Sequence, residues 1–173
     1  MTNNEIMKSY LKKMVIAPLL QDGFTGSYPH FRRMREAHIE LVSIQTNKYG
    51  GAFTIEVSAV FPDSPDKNYA DGLPVDQLTV WDTNERYRLK GMHSGWFWYR
   101  DLYIKKILGF GKDYLDVSEK QASDFTPPKG YKLVQKFNDA TAVEICNVIN
   151  HQFIDAFKWL RRLEKKNKYT HRG

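Results

Sequence analysis

The residues best suited to recognition lie in one segment that alternates basic and aromatic side chains. Residues 86–90 read Arg-Tyr-Arg-Leu-Lys, and residues 96–100 read Trp-Phe-Trp-Tyr-Arg. Side chains two apart share a face of a strand, so each run places its cations or indoles on one side. If the runs pair as hairpin neighbours across the turn at 91–95, guanidinium groups can stack on indole rings, which is worth about 0.5–2 kcal/mol. The candidate binding residues are therefore Arg86, Arg88, Trp96, Trp98 and Arg100.

Two interpretations of this aromatic-basic segment stay open. The face can bind an acidic protein, or a single strand of nucleic acid through stacking of bases on the tryptophans. Alternatively, the tryptophans belong to the core and the arginines cover the outer side of the sheet. The functional interpretation requires that Tyr87, Leu89, Phe97 and Tyr99 form the buried set.

No other residues form a recognisable catalytic or metal-binding motif. Cys146 lies on the apolar stripe of the last predicted helix, where a buried thiol acts as a small hydrophobe. His30 and His38 can approach each other across neighbouring strands, but no third metal ligand has a predictable position. Residues 109–112 share only composition with a phosphate-binding loop, because Asp113 follows the lysine where Ser or Thr is needed. We therefore predict no catalytic residue, no metal site and no cofactor.

The strongest structural pattern lies at residues 39–61, which predict a long antiparallel hairpin. Every second residue from Phe53 to Phe61 is apolar, as in a half-buried strand. Residues 47–51, Asn-Lys-Tyr-Gly-Gly, tolerate the positive φ angles of a tight connection. In the first strand the apolar phase slips near Leu41, which indicates either a β-bulge or burial on both faces. In both cases this strand is central in the sheet.

Helices are predicted at the two ends of the chain. Apolar residues recur at helical spacing over residues 4–15, with Asn3 or Asn4 as N-cap, and Pro18 either kinks this helix or begins a separate last turn. The last helix begins at a capping box, Thr141 to Glu144, and carries an apolar stripe over about six turns. Shorter strands are predicted at residues 24–28, 30–34, 86–90, 96–103, 114–117 and 131–137, and loops at residues 62–74 and 118–130.

Composition limits the class of protein. The chain has 173 residues, 42% hydrophobic and 14% aromatic, which suits one globular domain and excludes wholesale disorder. One cysteine excludes an intrachain disulfide, and no apolar stretch approaches the roughly 18 residues of a membrane span. The net charge of +6 arises in the C-terminal segment, where Glu164 is the one acid among seven cations: Lys158, Arg161, Arg162, Lys165, Lys166, Lys168 and Arg172.

Three stretches also carry a resemblance to a known family. Residues 18–24 read PLLQDGF, the hairpin contains NKYGGAFTIEV, and RYRLKG at 86–91 precedes GWFWYRDLY at 95–103. These stretches resemble the bacterial domain-of-unknown-function family 4304. The resemblance implies a small cytoplasmic bacterial protein with an α+β fold, and it supplies no catalytic residues. Some small bacterial families of this kind act as immunity or partner proteins in toxin systems, which favours a protein partner by analogy.

These patterns together predict a single α+β domain over residues 1–173, with a basic C-terminal tail from about residue 164. The expected architecture has two layers, with the N-terminal and the long C-terminal helix packed on one face of a mainly antiparallel sheet of roughly five to seven strands. We expect a non-enzymatic, cytoplasmic protein-binding domain whose partner is another protein, with no membrane association. The alternative is a nucleic-acid-binding module that uses the aromatic-basic sheet face and the basic tail. The third interpretation is an enzyme whose catalytic residues the sequence does not reveal.

Overall fold

A computed structural model of the chain has the two predicted layers. It describes residues 1–64, 67–93, 95–109, 111–117 and 125–170, with side chains to residue 167. A six-stranded antiparallel sheet carries the first and last helices, and the chain adds a second antiparallel sheet of three strands. The predicted α+β class is confirmed. Parts of the predicted loops, at residues 65–66, 94 and 118–124, lie outside the described residues, as does the end of the basic tail.

The larger sheet is organised around the predicted hairpin. Its strands are β1 (Thr25–Ser27), β2 (His30–Met34), β3 (Ile39–Thr46), β4 (Ala52–Val60), β5 (Tyr87–Arg88) and β6 (Phe97–Trp98). The first four strands lie in chain order, and both β5 and β6 pair with β4.

The β3–β4 hairpin has a regular register, from Ile39 opposite Val60 to Thr46 opposite Phe53. The pairing of β3 with β2 is also regular through Leu41, so no bulge lies at that residue. Every residue of β4 and the first six residues of β3 are buried. Burial on both faces therefore explains the slip in the apolar pattern.

The second sheet begins where a single long strand was predicted. The chain leaves the larger sheet after Trp98 and continues as β7 (Asp101–Ile107), so the prediction of one strand over residues 96–103 was wrong. β7 lies between β8 (Gly111–Val117) and β9 (Lys132–Gln135). The side-chain amide of Gln135 stabilises the crossing because it donates to the carbonyl oxygens of Trp98 and Arg100, at 2.7 and 3.0 Å.

The first helix continues through Pro18 by means of a wider turn. It consists of α1 (Asn3–Leu11), a π-helical turn (Lys12–Ile16) and α2 (Ala17–Gln21). Proline has no N–H for the carbonyl four residues earlier, which here belongs to Met14. The side-chain amide of Asn150 in the last helix donates to that carbonyl oxygen at 2.9 Å.

Both helix starts differ from the predicted caps. Thr2, rather than Asn3 or Asn4, caps α1, because its hydroxyl and the Glu5 carboxylate form the two reciprocal bonds of a capping box. The last helix, α3 (Asp139–Thr170), begins before the predicted box at Thr141. Asn138 instead accepts a hydrogen bond from the backbone N–H of Thr141 at 3.0 Å, so the earlier asparagine satisfies the free donor.

Two apolar cores explain why β4 is buried on both faces. On the helix side, Phe53, Ile55 and Val57 share one cluster with Leu11 of α1 and Phe153 of α3. Both helices therefore pack on one face of the sheet, as predicted. On the opposite side, a smaller cluster is covered by the chain between β4 and β5 and consists of Ile39, Leu41, Val60, Leu78 and Val80, with Tyr69 and Val75 packed against it. Within the described residues, no helix is long and apolar enough to cross a membrane.

Candidate functional site

Two of the sequence-predicted binding residues neutralise a buried carboxylate. Arg88 in β5 lies opposite Glu56 in β4, and its Nε donates to Oε1 of Glu56 at 3.0 Å. A nitrogen of Arg86 lies 3.7 Å from the other oxygen of the same carboxylate. The Glu56 side chain is 7% exposed, whereas both arginines are partly in solvent. These arginines therefore compensate a charge inside the sheet, and each keeps part of its guanidinium accessible.

The other three predicted residues lie beside the start of β4, next to the turn of the β3–β4 hairpin. Trp96 and Trp98 are half-buried, and the indole N–H of Trp98 donates to the carbonyl oxygen of His93 at 3.1 Å. Arg100 forms an ion pair with Asp116 at 2.7 Å and packs over Gly51. A Cβ atom at Gly51 would lie 1.9 Å from the Arg100 side chain, so only glycine allows this close approach.

The five residues do not form one continuous surface through strand pairing. β5 and β6 lie end to end along β4 instead of beside each other, so the condition that the two runs pair as hairpin neighbours is not met. The expected inward-facing set does face the helices: Leu89, Phe97 and Tyr99 are buried, and Tyr87 is half-buried against Trp159. The binding role of the five residues stays a prediction.

A surface that the sequence patterns did not indicate lies at the opposite edge of the sheet. Within the described chain, β1 pairs with β2 and has no strand on its other side. Its three residues are exposed, and Gly26 has a φ of +106°. A Cβ atom at Gly26 would lie 2.6 Å from the carbonyl oxygen of His30, so a glycine is needed where β1 turns back towards β2. β1 therefore carries only small side chains, and no described strand pairs with its outer edge.

An apolar cavity of about 420 Å³ runs beside this edge, and we refer to it as the edge groove. One wall is the first helix, where Lys8, Lys12, Ile16 and Leu20 recur every four residues along one face. The other wall is β1 with its turn into β2, and the lining consists of Lys8, Leu11, Lys12, Ile16, Leu20, Gly26, Ser27, Tyr28 and Phe31.

The rim of the edge groove is positively charged. Lys8 and Lys12 are exposed, and neither forms an ion pair with another residue that the structure describes. Leu20 and Tyr28 are 44% and 41% exposed, so the groove presents apolar surface to solvent between the two lysines and the strand. An open strand edge beside an apolar groove is the arrangement that binds an extended peptide as an added strand.

A second concave region, the charged cleft, lies where α2, the β2–β3 turn and α3 meet. It has a volume of about 500 Å³, and its central residue is Arg33, which is buried. The Arg33 guanidinium lies over the rings of Phe24 and Phe157, at 4.4 and 5.3 Å from their centroids. It donates to the carboxylates of Glu40 and Asp22, so an internal ion-pair network satisfies its charge.

Glu40 is held in its ionised form. Burial raises the pKa of this carboxyl, but hydrogen bonds from His38 and Arg33 and the charges of Arg33 and Arg35 outweigh burial and lower its pKa from 4.5 to about 2. An ionised, fully engaged carboxylate does not donate a proton at neutral pH. The network therefore fixes the β2–β3 turn, and Arg161 of α3 lies at its solvent rim.

His30 and His38, which the sequence allowed to approach each other, lie apart with different partners. His30 lies opposite Ser43, and its Nδ1 is 2.9 Å from the serine hydroxyl, whereas His38 contacts Glu40 and the ring of Phe61. Burial and the nearby Arg32 lower the pKa of His30. No group of three or more His, Cys, Asp or Glu able to hold a metal ion occurs in the described part of the chain. Cys146 is buried, and burial raises its pKa to about 12, so the thiol is unreactive at neutral pH.

Comparison with models of protein families gives a match. The model of the family described as Domain of unknown function (DUF4304) matches residues 15–162. The matched range contains the nine strands that the structure describes and the three stretches on which the resemblance was based. No curated protein and no solved structure gives a match to the chain.

Proposed function

The chain belongs to the DUF4304 family, and we propose that it binds an extended, acidic segment of another protein along the open edge of its larger sheet. The observation that carries the proposal is the juxtaposition of the unpaired edge of β1 with the edge groove. Each element would be a liability alone, because bare strand edges and exposed apolar grooves promote aggregation. Placed side by side, they match the backbone and the side chains of one added strand.

The backbone of the bound segment would pair with β1. A strand added to a sheet edge forms backbone hydrogen bonds that each contribute about 0.5–1.5 kcal/mol net and that do not depend on sequence. The helix wall from Lys8 to Leu20 is about 18 Å long at 1.5 Å per residue. An extended chain rises about 3.3 Å per residue, so the groove accommodates roughly five or six residues of a partner.

Side chains of the bound segment would provide the specificity. Successive side chains of a strand point to opposite sides, so every second residue of the segment faces the groove. Ile16 and Leu20 offer apolar contacts there, and burial of one large apolar side chain contributes about 1.5–3 kcal/mol. Lys8 and Lys12 at the rim favour Asp or Glu at one end of the segment. The preferred ligand therefore combines alternating apolar residues with carboxylates.

A selection from a random peptide library, with segments about ten residues long, tests the proposal. We expect enrichment of sequences that alternate apolar residues and carry Asp or Glu. A selected peptide, synthesised with a fluorophore, should lose about tenfold in affinity when Lys12→Glu reverses a rim charge, which corresponds to about 1.4 kcal/mol. Leu20→Asp should have at least the same effect, because Leu20 lines the groove and is partly exposed.

Lys13→Glu is the matched control, because Lys13 is adjacent to Lys12, exposed and outside the groove. The peptide should bind this variant with wild-type affinity. The proposal is overturned if Lys12→Glu and Lys13→Glu weaken binding equally. It is also overturned if amide NMR signals of β1 do not shift on addition of the peptide.

A further inference from the structure

A cavity of about 640 Å³ lies between the start of β5 and the last turns of α3, on a different face from the edge groove. One wall is formed by Asn84, Glu85 and Arg86, which lead into β5, and the other by Trp159, Arg162 and Lys166 of α3. This is the place where the aromatic-basic segment and the basic C-terminal segment of the sequence come together. We refer to it as the tryptophan cavity.

An aromatic ring forms the inner part of the tryptophan cavity. Trp159 is half-buried, and its ring is 5.8 Å from the ring of Tyr87, with the two planes at 43°. This contact fixes the orientation of the indole. A fixed, partly accessible indole is a stacking surface for a flat ring of any identity, and base–aromatic stacking contributes about 1–3 kcal/mol per base.

Cations surround the indole. Helical periodicity places Arg162 and Lys166 on the side of α3 that carries Trp159, because residues three, four and seven apart share a face. Arg86 approaches from the β5 side with its side chain 41% exposed. Glu85, which pairs with Lys166 at 2.8 Å, is the one acidic residue in the described lining. The lining therefore carries three cations against one carboxylate, and this net positive charge favours an anion next to the stacked ring.

We infer that the tryptophan cavity binds single-stranded nucleic acid, with one base stacked on Trp159 and the flanking phosphates paired with Arg162, Lys166 and Arg86. The chemistry that it recognises is an aromatic ring joined to a phosphate, which a free nucleotide also carries. A single-stranded nucleic acid fits better than a free nucleotide, because cations continue past the cavity on the adjacent exposed flank of α3. These are Lys165 and Lys158, the second of which pairs with Asp155 at 3.3 Å. The single phosphate of a free nucleotide would not reach them.

Titration of labelled oligothymidylate and oligouridylate, each about fifteen nucleotides long, tests this inference in the full chain. Affinity should fall with salt along a log–log slope of about −0.7 for each phosphate contact. Arg162→Gln should weaken binding and reduce that slope by about 0.7. Trp159→Leu should weaken binding about 5- to 100-fold, since each 1.4 kcal/mol of stacking is a factor of ten. Thermal unfolding verifies that the Trp159 variant is folded, and Arg162→Gln decides the question if it is not.

Arg161→Gln is the matched control. Arg161 precedes Arg162 and has the same charge, but it lines the charged cleft on the other side of α3. It should leave affinity and salt slope unchanged. The inference is overturned if no oligonucleotide binds at low salt, or if the Arg161 and Arg162 variants behave alike. Competition by uridine monophosphate at the same concentration as the strand would also overturn it, because the ligand would then be a free nucleotide.

Discussion

The two edges of the larger sheet are completed in opposite ways. On the β4 side, β5 and β6 pair end to end with the strand, and β4 is buried along its whole length. On the β1 side, no strand follows within the described residues, and β1 is exposed. We refer to β4 with its short neighbours β5 and β6 as the closed edge, and to β1 as the open edge. Residues of β4 belong to both apolar cores, whereas β1 is exposed and lies beside the edge groove. Truncation of a core residue at the closed edge should therefore cost more stability than truncation of an exposed residue at the open edge.

The largest difference between the edges should appear when an apolar side chain is truncated on each. Phe97 in β6 is fully buried and stacks on Phe53 with ring centroids 5.4 Å apart. Phe97→Ala should lower the free energy of unfolding by about 3–5 kcal/mol. Leu20→Ala in the edge groove should cost less than about 1 kcal/mol, because Leu20 is 44% exposed. Urea denaturation of both variants measures the difference.

Leu19→Ala provides the control for the open edge. Leu19 is adjacent to Leu20 in the same helix but is 4% exposed, so its truncation should cost about 2–5 kcal/mol. If Leu19→Ala and Leu20→Ala lose the same stability, the edge groove is part of the core and the comparison between the edges fails.

Acid should destabilise the protein through the ion pairs of the charged cleft at the β2–β3 turn. The pKa of Glu40 is about 2 in the folded chain against an ordinary value of 4.5. A folded-state pKa below the unfolded value contributes stability that is present above pH about 4.5 and is lost as pH falls towards 2. The size of the shift corresponds to about 3 kcal/mol. Urea denaturation at several pH values between about 6 and 2.5 measures this loss.

Glu40→Gln separates this carboxyl from the other acids. We expect the variant to be less stable than wild type at neutral pH, because Arg33 loses a charged partner, and we expect its stability to fall less on acidification. Parallel pH profiles for the variant and the wild type would show that Glu40 does not titrate between these pH values, and the assignment of the acid sensitivity to the charged cleft would be wrong.

The smallest effect is expected for the two arginines of the closed edge. Arg86→Gln combined with Arg88→Gln leaves the carboxylate of Glu56 without its charged partners. We expect a loss of about 1–2 kcal/mol, below the usual cost of breaking a buried pair, because both arginines are partly in solvent. Adding Glu56→Gln should restore most of the stability, since no buried charge remains.

The same double variant tests the binding role predicted for these arginines. If the double variant folds and keeps the affinity of the wild type for both the selected peptide and oligonucleotides, the two arginines only compensate the charge of Glu56. A loss of affinity for the oligonucleotide alone would agree with the position of Arg86 in the tryptophan cavity.

The elements with strong local patterns could be predicted from the sequence. The alternation from Phe53 to Phe61 predicted β4, because side-chain direction follows from the period of two. The same period showed that Phe97 and Tyr99 share a face, but the sequence left open whether that face or the one with the tryptophans is buried. The apolar stripe of α3 likewise predicted its packing face. These signals depend on residues close together in sequence, and the fold confirms them.

What could not be predicted depends on pairing between distant residues. β4 has nine residues, so its outer edge has room for β5 and β6 in line, and no local feature of residues 86–100 reports that space. The edge groove depends on where the first helix packs, which is set by contacts with α3. The sequence did contain an indication of the charged cleft. A turn centred between residues 36 and 37 places Arg33 opposite Glu40, as the register of β2 and β3 shows. That opposite-charge pair across a short turn could have been read from the sequence.

The hydrogen bond from Asn150 to the carbonyl oxygen of Met14 joins residues that are 136 positions apart in the chain. α1 also packs against α3, so the first helix is held by an element that is synthesised much later. Contacts of such large sequence separation form late, because the chain must first close a long loop. On the ribosome, the first helix and β1 emerge early, but the wall of the edge groove becomes fixed only after α3 has been made. A partner that recognises the assembled groove would therefore distinguish a chain in which α3 has been made from one in which it has not.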